Sequence, residues 1–286
     1  LIKAAREGYA VGAFNANNLE FLRAITSAAA EENSPVIVAV SEGAIKYAGF
    51  GLIVAMVREV ASEVPVPVSL HLDHGKDLEV VKKCIEGGFT SVMIDASDKE
   101  FGENIRITKG VVSLAESRNV SVEAELGRLS GIEESISVSE REAFLTDPKQ
   151  AAEFVTETGV DSLAVAVGTS HGAYKFKGDA ILAIDRIGEI RKAVGGLPLV
   201  LHGASGVSQE TVEKATRFGA TLGKPAGVPD ASIKEAIRQG VAKVNIDTDM
   251  RLAFMASLRE ILSTKTSEFD PRKILGPAGD SVREVV

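Results

Sequence analysis

The chain has 286 residues, is 45% hydrophobic and 25% charged, and carries a formal net charge of −8, values ordinary for a globular protein with a sizeable core. The acidic balance, with no basic cluster to meet a row of phosphates, excludes a general nucleic-acid binder. One cysteine, Cys84, excludes a disulfide framework and a thiolate metal site, and no apolar run reaches the roughly 18 residues of a membrane span.

Val11–Asn15 reads as a short first strand. Leu19–Glu32 has helical spacing at Leu19, Leu22, Ile25 and Ala29. Pro35–Ser41 is a continuous, largely β-branched run, which predicts a strand buried on both faces. A helix over Leu52–Ser62, a third strand over Val66–His74 and a helix over Leu78–Glu86, closed by Gly87 and Gly88, follow. Cys84 belongs on the buried side of that helix. Ser91–Ser97 is the fourth strand, Phe101–Arg118 a long helix and Ser121–Gly127 the fifth strand.

Residues 128–147 break the rhythm. Their polar, acidic sequence predicts a mobile loop of the kind that often acts as a lid. Asp147 is an N-cap and Pro148 the first helical residue of Pro148–Thr158. Strand six is Ser162–Gly168, a helix lies within Ala180–Val194, and strand seven is Leu197–Ser205. A helix over Gln209–Phe218, an irregular stretch over Ala220–Asp230 and a helix over Ser232–Gln239 lead to strand eight, Val241–Thr248. Met250–Ser263 is the closing helix, and the tail from Thr264 is expected to wrap the surface.

Strands that alternate with helices in this way predict the α/β class and a closed (β/α)8 TIM barrel, one domain over residues 1–286. The chain opens at Leu1 without a signal-peptide pattern. The expectation is a cytoplasmic protein with a few residues preceding Leu1.

All four histidines, His71, His74, His171 and His202, lie at or just beyond predicted strand ends. Active sites of such barrels lie at the C-terminal ends of the strands. His74, His171 and His202 therefore make a candidate open zinc site. In His71-Leu72-Asp73-His74-Gly75 the strand alternation puts His71 and Asp73 on one face, with Leu72 and His74 on the other. Asp73 and His74 reach one ligand only if the backbone turns, which Gly75 permits. His71 is the weaker metal candidate and is read as an orienting or packing group. The plainer alternative is a hydrogen-bonded, capped strand end.

Glu123 and Glu125 share a face of strand five, and Asp95 ends strand four. Buried carboxylates need partners, and a metal or its surrounding shell would supply them. Gly203–Ser205 and Asp247–Thr248, after strands seven and eight, offer backbone N–H groups and the Ser205 and Thr248 hydroxyls to a phosphate. Asp249 is a candidate N-cap for the last helix. Glu133 and Glu134 lie in the long loop, where a solvated acidic face is the alternative reading. Gly219–Lys224 is not a P-loop, because Pro225 stands where Ser or Thr belongs. Lys243 sits too early on strand eight for a Schiff-base role at the mouth.

On the residues His71–Gly75, Glu123–Gly127 with Glu133, Gly168–Gly172, His202–Gly206 and Asn245–Asp249, the sequence resembles the class II ketose-bisphosphate aldolases, most closely the fructose-1,6-bisphosphate aldolases. The resemblance implies reversible cleavage of fructose 1,6-bisphosphate to dihydroxyacetone phosphate and glyceraldehyde 3-phosphate. It implies zinc, or another divalent ion such as Co2+, held by His74, His171 and His202. Asp95 and Glu125 would hold an alternative metal position. Asp73 would move the C4 hydroxyl proton and Glu133, with Glu134 as rival, the C3 proton. Gly172, Gly203, Ser205, Asn245, Asp247 and Thr248 would bind the dihydroxyacetone phosphate part, and Asn15 and Ser41 would approach the substrate. Arg251 would meet the second phosphate. A monovalent cation, Na+ or K+, near the phosphate loops and a homodimer or homotetramer are also implied. The alternatives are a tagatose-1,6-bisphosphate aldolase, a non-catalytic phosphosugar-binding barrel and a lysine-based aldolase.

Overall fold

The β-branched runs pair side by side in chain order. The computed structural model describes residues 1–127, 145–169, 182–223 and 225–286. In it, β1 (Val11–Asn15), β2 (Val36–Ser41), β3 (Val68–Gly75), β4 (Ser91–Ile94), β5 (Ser121–Leu126), β6 (Ser162–Val165), β7 (Leu199–Leu201) and β8 (Val241–Ile246) close into a parallel barrel. Closure is made by β1 on β8, with Val11 opposite Lys243 and Ala13 opposite Asn245.

Register decides which side chains enter the barrel. Neighbours opposite one another in a parallel sheet share a face. Ala39 is opposite His71, Ser41 opposite Asp73, and His71 opposite Ser91. Met93 is opposite Glu123, Glu125 opposite Ala164, and Val200 opposite Lys243. This inner set is polar toward the C-terminal ends. The alternate set, including Val38, Val40, Leu70, Leu72, Val92, Ile94, Val122 and Leu163, is buried in the main apolar cluster beneath the helices. Met93, Ala164 and Val200 form a small apolar layer inside the barrel. Near its other end Val11, Ala13, Ile37 and Ala242 pack with Ala4 and Ala5.

The helices that cover this barrel are α1 (Ile2–Glu7), α2 (Leu19–Glu31), α3 (Glu42–Ala48), α4 (Phe50–Glu63), α5 (Leu78–Gly87) and α6 (Phe101–Glu116). They continue with α7 (Pro148–Thr158), α8 (Ile184–Ala193), α9 (Gln209–Arg217), α10 (Asp230–Gln239), α11 (Thr248–Thr264) and α12 (Pro271–Val285). Asp147 caps α7 through Lys149 and Gln150 N–H, with Pro148 in its first turn as the sequence predicts. Cys84 is buried on α5, and burial pushes its thiol up to about 12, so it stays neutral.

Several expectations need correction. α1 and α3 are not expected from the sequence, and β4, β6 and β7 are shorter than the expected Ser91–Ser97, Ser162–Gly168 and Leu197–Ser205. The tail does not merely wrap the surface: α12 buries Ala278 and Val282 and packs on α11 and α2. Its helical stripe is interrupted by Gly276, Pro277 and Gly279, which read as turn residues. Asp270 accepts from Arg272 N–H and starts the helix, with Pro271 in the first turn. No helix among the described residues is long and apolar enough to cross a membrane.

Candidate active site

β3 delivers two side chains to the barrel mouth by different means. Asp73 comes from strand alternation: it is buried, and both its oxygens take amide donors. Asn15 Nδ2 donates to Oδ2 at 2.8 Å and Asn245 Nδ2 to Oδ1 at 3.1 Å. His74 comes from a break in that alternation. Its φ is 48°, in the left-handed region, and the pairing with β4 shifts register between Leu72 and Gly75. Histidine is one of the few non-glycine residues enriched there. The turn is thus made by His74 itself and not by Gly75, as the sequence had suggested.

Gly75 serves close packing instead. A Cβ there would lie 2.7 Å from Met93 O and 2.8 Å from Val81 Cγ2. Gly75→Ala is expected to lower stability by about 1–3 kcal/mol in denaturant titration. Unchanged stability would show that β3 and β4 can spread without cost.

The turned imidazole meets three other strand ends. His74 Nδ1 lies 3.0 Å from Asp95 Oδ2 and 3.7 Å from Glu125 Oε2. Its ring centroid is 4.5 Å from that of His202, edge to face. His202 Nδ1 is 4.0 Å from Asp73 Oδ1. Asn104, on α6, donates to the Glu125 carbonyl at 3.0 Å and ties the end of β5 in place. Ser97 Oγ and N–H both donate to Asp95 Oδ1.

A second polar layer lies beneath. Lys243 Nζ donates to Glu123 Oε2 at 2.6 Å and is 3.1 Å from His71 Nε2. Glu123 Oε1 is 2.8 Å from His202 Nε2, and His71 Nδ1 is 2.8 Å from Ser91 Oγ. His71, Glu123, His202 and Lys243 are all buried. His71 is therefore an interior packing and hydrogen-bonding group, as read from alternation. Lys243 lies below the mouth and is engaged by a carboxylate. Its ion pair with Glu123 is what the sequence reading missed, although a lone lysine in the apolar run Val241–Ile246 was a signal.

These contacts set the charges. Burial alone would raise Asp73, but His74, His202, Lys243 and the Asn15 hydrogen bond bring it down to about 2. Burial opposes a charged His74, yet the Asp95 hydrogen bond and the Asp73, Glu125 and Asp95 charges raise it to about 9. Burial pushes Glu125 up to about 8, with Asp95, Glu123 and Asp73 adding to it against His74. Burial and Lys243 take His71 down to about 3. Burial is outweighed at Glu123 by Lys243 and His202, and at Asp95 by His74 and Ser97, so both stay well below the usual carboxylate range. Burial keeps His202 below its ordinary value.

The mouth fits a divalent cation. One donor atom each from Asp73, His74 and His202 lies within 4.8 Å of the others, as do atoms of His74, Asp95 and Glu125. Nitrogen and oxygen donors without thiolate suit zinc and similar ions. Glu125 Oε2 is buried with no hydrogen-bond partner, a costly state that a cation relieves. His74 and Glu125 also keep protons near neutral pH that a bound cation would displace.

A family model described as class-II fructose-bisphosphate aldolase matches residues 1–286. The chain belongs to the class II fructose-bisphosphate aldolase family. A fructose-bisphosphate aldolase from Thermus caldophilus is 54% identical over 286 residues, 100% of this chain and 93% of that protein. One from Helicobacter pylori (strain ATCC 700392 / 26695) is 48% identical over 287 residues, with 100% and 93% covered. Among solved structures, the YdjI aldolase from Escherichia coli K12 matches with a TM-score of 0.80 at 35% identity, covering 99% of this chain and 90% of that one. Class II aldolases are metal-dependent, in keeping with the donor set at the mouth.

The remaining residues to which the class II aldolase resemblance points are distributed unevenly. Asn15, Asp73, His74, Asp95, Glu125, His202 and Asn245 converge at the mouth. Ser205 Oγ accepts from the N–H of Asp247 and Thr248 at 3.3 and 3.2 Å, which joins the β7 and β8 loops. Gly203, with φ 63°, allows the β7 loop to turn. Ser41 caps α3 by accepting from Ala44 N–H. Arg251 Nε donates to Asp247 Oδ1 at 2.7 Å on a half-exposed surface. Asp249 does not cap α11 as expected. It accepts from Gly206 and Val207 N–H at 2.8 and 2.6 Å, because it lies in the helix's first turn facing the β7 loop. Glu133, Glu134, His171 and Gly172, with the greater part of the 128–147 loop, lie outside the described residues.

Proposed function

We propose that this mouth cleaves fructose 1,6-bisphosphate reversibly to dihydroxyacetone phosphate and glyceraldehyde 3-phosphate. The observation that carries the reading is the Asp73 carboxylate, ionised and held by two amides beside the His74 and His202 donors.

Retro-aldol cleavage removes the C4 hydroxyl proton and breaks the C3–C4 bond. The electron pair of that bond passes toward the C2 carbonyl. Zinc, or another divalent ion such as Co2+, held by His74, His202 and the sequence's third candidate His171, would act there as a Lewis acid. Asp95 and Glu125 would serve an alternative metal position. Asp73 would take the C4 hydroxyl proton, a role supported by a carboxylate already ionised near neutral pH. Asn15 and Asn245 aim it by holding one oxygen each. Glu133, with Glu134 as rival, is the proposed partner that would handle the proton at C3.

Ser205, Thr248, Asp247, Gly203 and Gly172 are the proposed phosphate group, with a monovalent cation nearby. Ser41 and Arg251 are further candidates for substrate contact. A homodimer or homotetramer in the cytoplasm is the setting that the family resemblance suggests. Lys243 is not a candidate for lysine-based chemistry, because Glu123 engages it beneath the mouth.

Side-by-side cleavage of fructose and tagatose 1,6-bisphosphate, before and after chelation, tests the proposal. The expected result is a preference for fructose and activity lost with the metal. A preference for tagatose overturns the substrate, and chelator-resistant cleavage overturns the metal.

A further inference from the structure

Donor and acceptor chemistry fixes the direction of every hydrogen bond beneath the mouth. A lysine ammonium has three donors and no acceptor. Lys243 therefore donates both to Glu123 Oε2, at 2.6 Å, and to His71 Nε2, at 3.1 Å. His71 must carry its proton on Nδ1, which donates to Ser91 Oγ. Glu123, once engaged by Lys243, remains an acceptor. Its other oxygen lies 2.8 Å from His202 Nε2, so that nitrogen carries the His202 proton. On the opposite side of the ring Asn245 Nδ2, a donor, is 3.3 Å from Nδ1. Both flanks thus select one tautomer, with the unprotonated Nδ1 turned toward Asp73 and His74.

We propose that Lys243 is a positioning residue that acts through Glu123 to fix the tautomer of His202, so that Nδ1 stays unprotonated and its lone pair, which accepts from Asn245 here, can be taken over by a metal ion. The inference rests on the metal reading of the proposed function. A carboxylate behind a ligating imidazole fixes tautomer and ring orientation, and its loss costs about 10- to 100-fold in metal affinity. Here the carboxylate is itself oriented by a buried cation supplied from β8, three strands away around the barrel. This explains why a lysine stands inside β8, below the reach of substrate.

The logic can be inverted by one atom. In Glu123→Gln the lysine claims the amide oxygen, and the amide NH2 then faces His202 Nε2. The ring is driven toward the Nδ1–H form, which cannot ligate through Nδ1. Removing the lysine as well, in Glu123→Gln/Lys243→Met, lets the amide turn its oxygen back to His202.

The test uses the full chain. The His202 tautomer is read by nitrogen-15 NMR of metal-free protein, and cobalt affinity by chelator competition. Wild type is expected to show Nε2–H. Glu123→Gln is expected to show Nδ1–H and roughly 10- to 100-fold weaker cobalt binding. The double variant is expected to return to Nε2–H, with affinity within a few-fold of wild type. The same tautomer in all three proteins overturns the proposal, as does equal cobalt affinity. An ion pair that serves folding alone would restore the melting temperature in the double variant without moving the tautomer. Wild type that takes up no divalent ion overturns the metal reading. The tautomer pattern, read without metal, still decides the role of Lys243.

Discussion

Asp73→Asn is expected to keep its metal and lose turnover by roughly 10²–10⁴-fold, the usual contribution of a positioned acid or base. The geometry leaves a competing role open to the same side chain. A donor atom of Asp73 falls within 4.8 Å of donors on His74 and His202, so the carboxylate could ligate the ion instead. Its hydrogen bonds argue for proton transfer. Both oxygens are already held by Asn15 and Asn245, at 2.8 and 3.1 Å. The substituted amide would have to present its NH2 to one of those two donors, leaving that donor unpaired at a cost of about 1–3 kcal/mol. A modest fall in melting temperature therefore accompanies the loss of rate. KM is expected to stay within a few-fold, because the proposed phosphate-binding groups are untouched. The measurement pairs kcat with metal content after dialysis. Stoichiometric metal with crippled kcat supports the proton-transfer role, and metal lost with activity would assign Asp73 to the ligand set.

The barrel was legible because its strands are apolar runs and its helices carry caps and glycine stops. The strand starts from β1 to β6 fall within two residues of those expected, although β4 and β6 end early and α3 was not expected. α12 was hidden because Gly276, Pro277 and Gly279 interrupt its apolar stripe, and only packing against α11 and α2 makes that helix worthwhile. The convergence of Asp73, His74, Asp95, Glu125 and His202 was legible from their places at strand ends. What alternation could not provide was the φ of His74, a local break that puts two successive residues onto one site. Nor could it pair Lys243 with Glu123. Residues 120 apart in sequence meet only once β5 and β8 face each other across a closed barrel. Asp249 misled for a related reason: its cap-like position says nothing of the β7 loop that faces it.

His74→Ala should lose both metal and turnover, the latter by about 10³-fold or more, since a Lewis-acid ion supplies several kcal/mol of charge stabilisation. Two consequences of this substitution must be separated. The first is chemical: a proposed ligand is gone, and Asp73, Asp95 and Glu125 lose the imidazole between them. The second is conformational. Residue 74 sits at φ 48°, where an ordinary L-residue costs about 1–2 kcal/mol. Alanine's methyl cannot replace the hydrogen bond to Asp95, so His74→Ala is expected to weaken the β3 turn. His74→Asn divides the two. Asparagine tolerates the left-handed region, and its amide can still donate to Asp95. That variant should fold nearly as well as the parent and still lack the metal and the activity. Circular dichroism melting, metal content and cleavage rate, measured on both variants, make the comparison. If His74→Asn held stoichiometric metal and turned over like wild type, His74 would be a structural corner and not a ligand. The left-handed backbone and the metal donor would then be independent features that happen to share one residue. If it folds but stays metal-free, the unusual φ has a functional reason, because it brings an imidazole beside Asp73 that strand alternation would have sent to the other face.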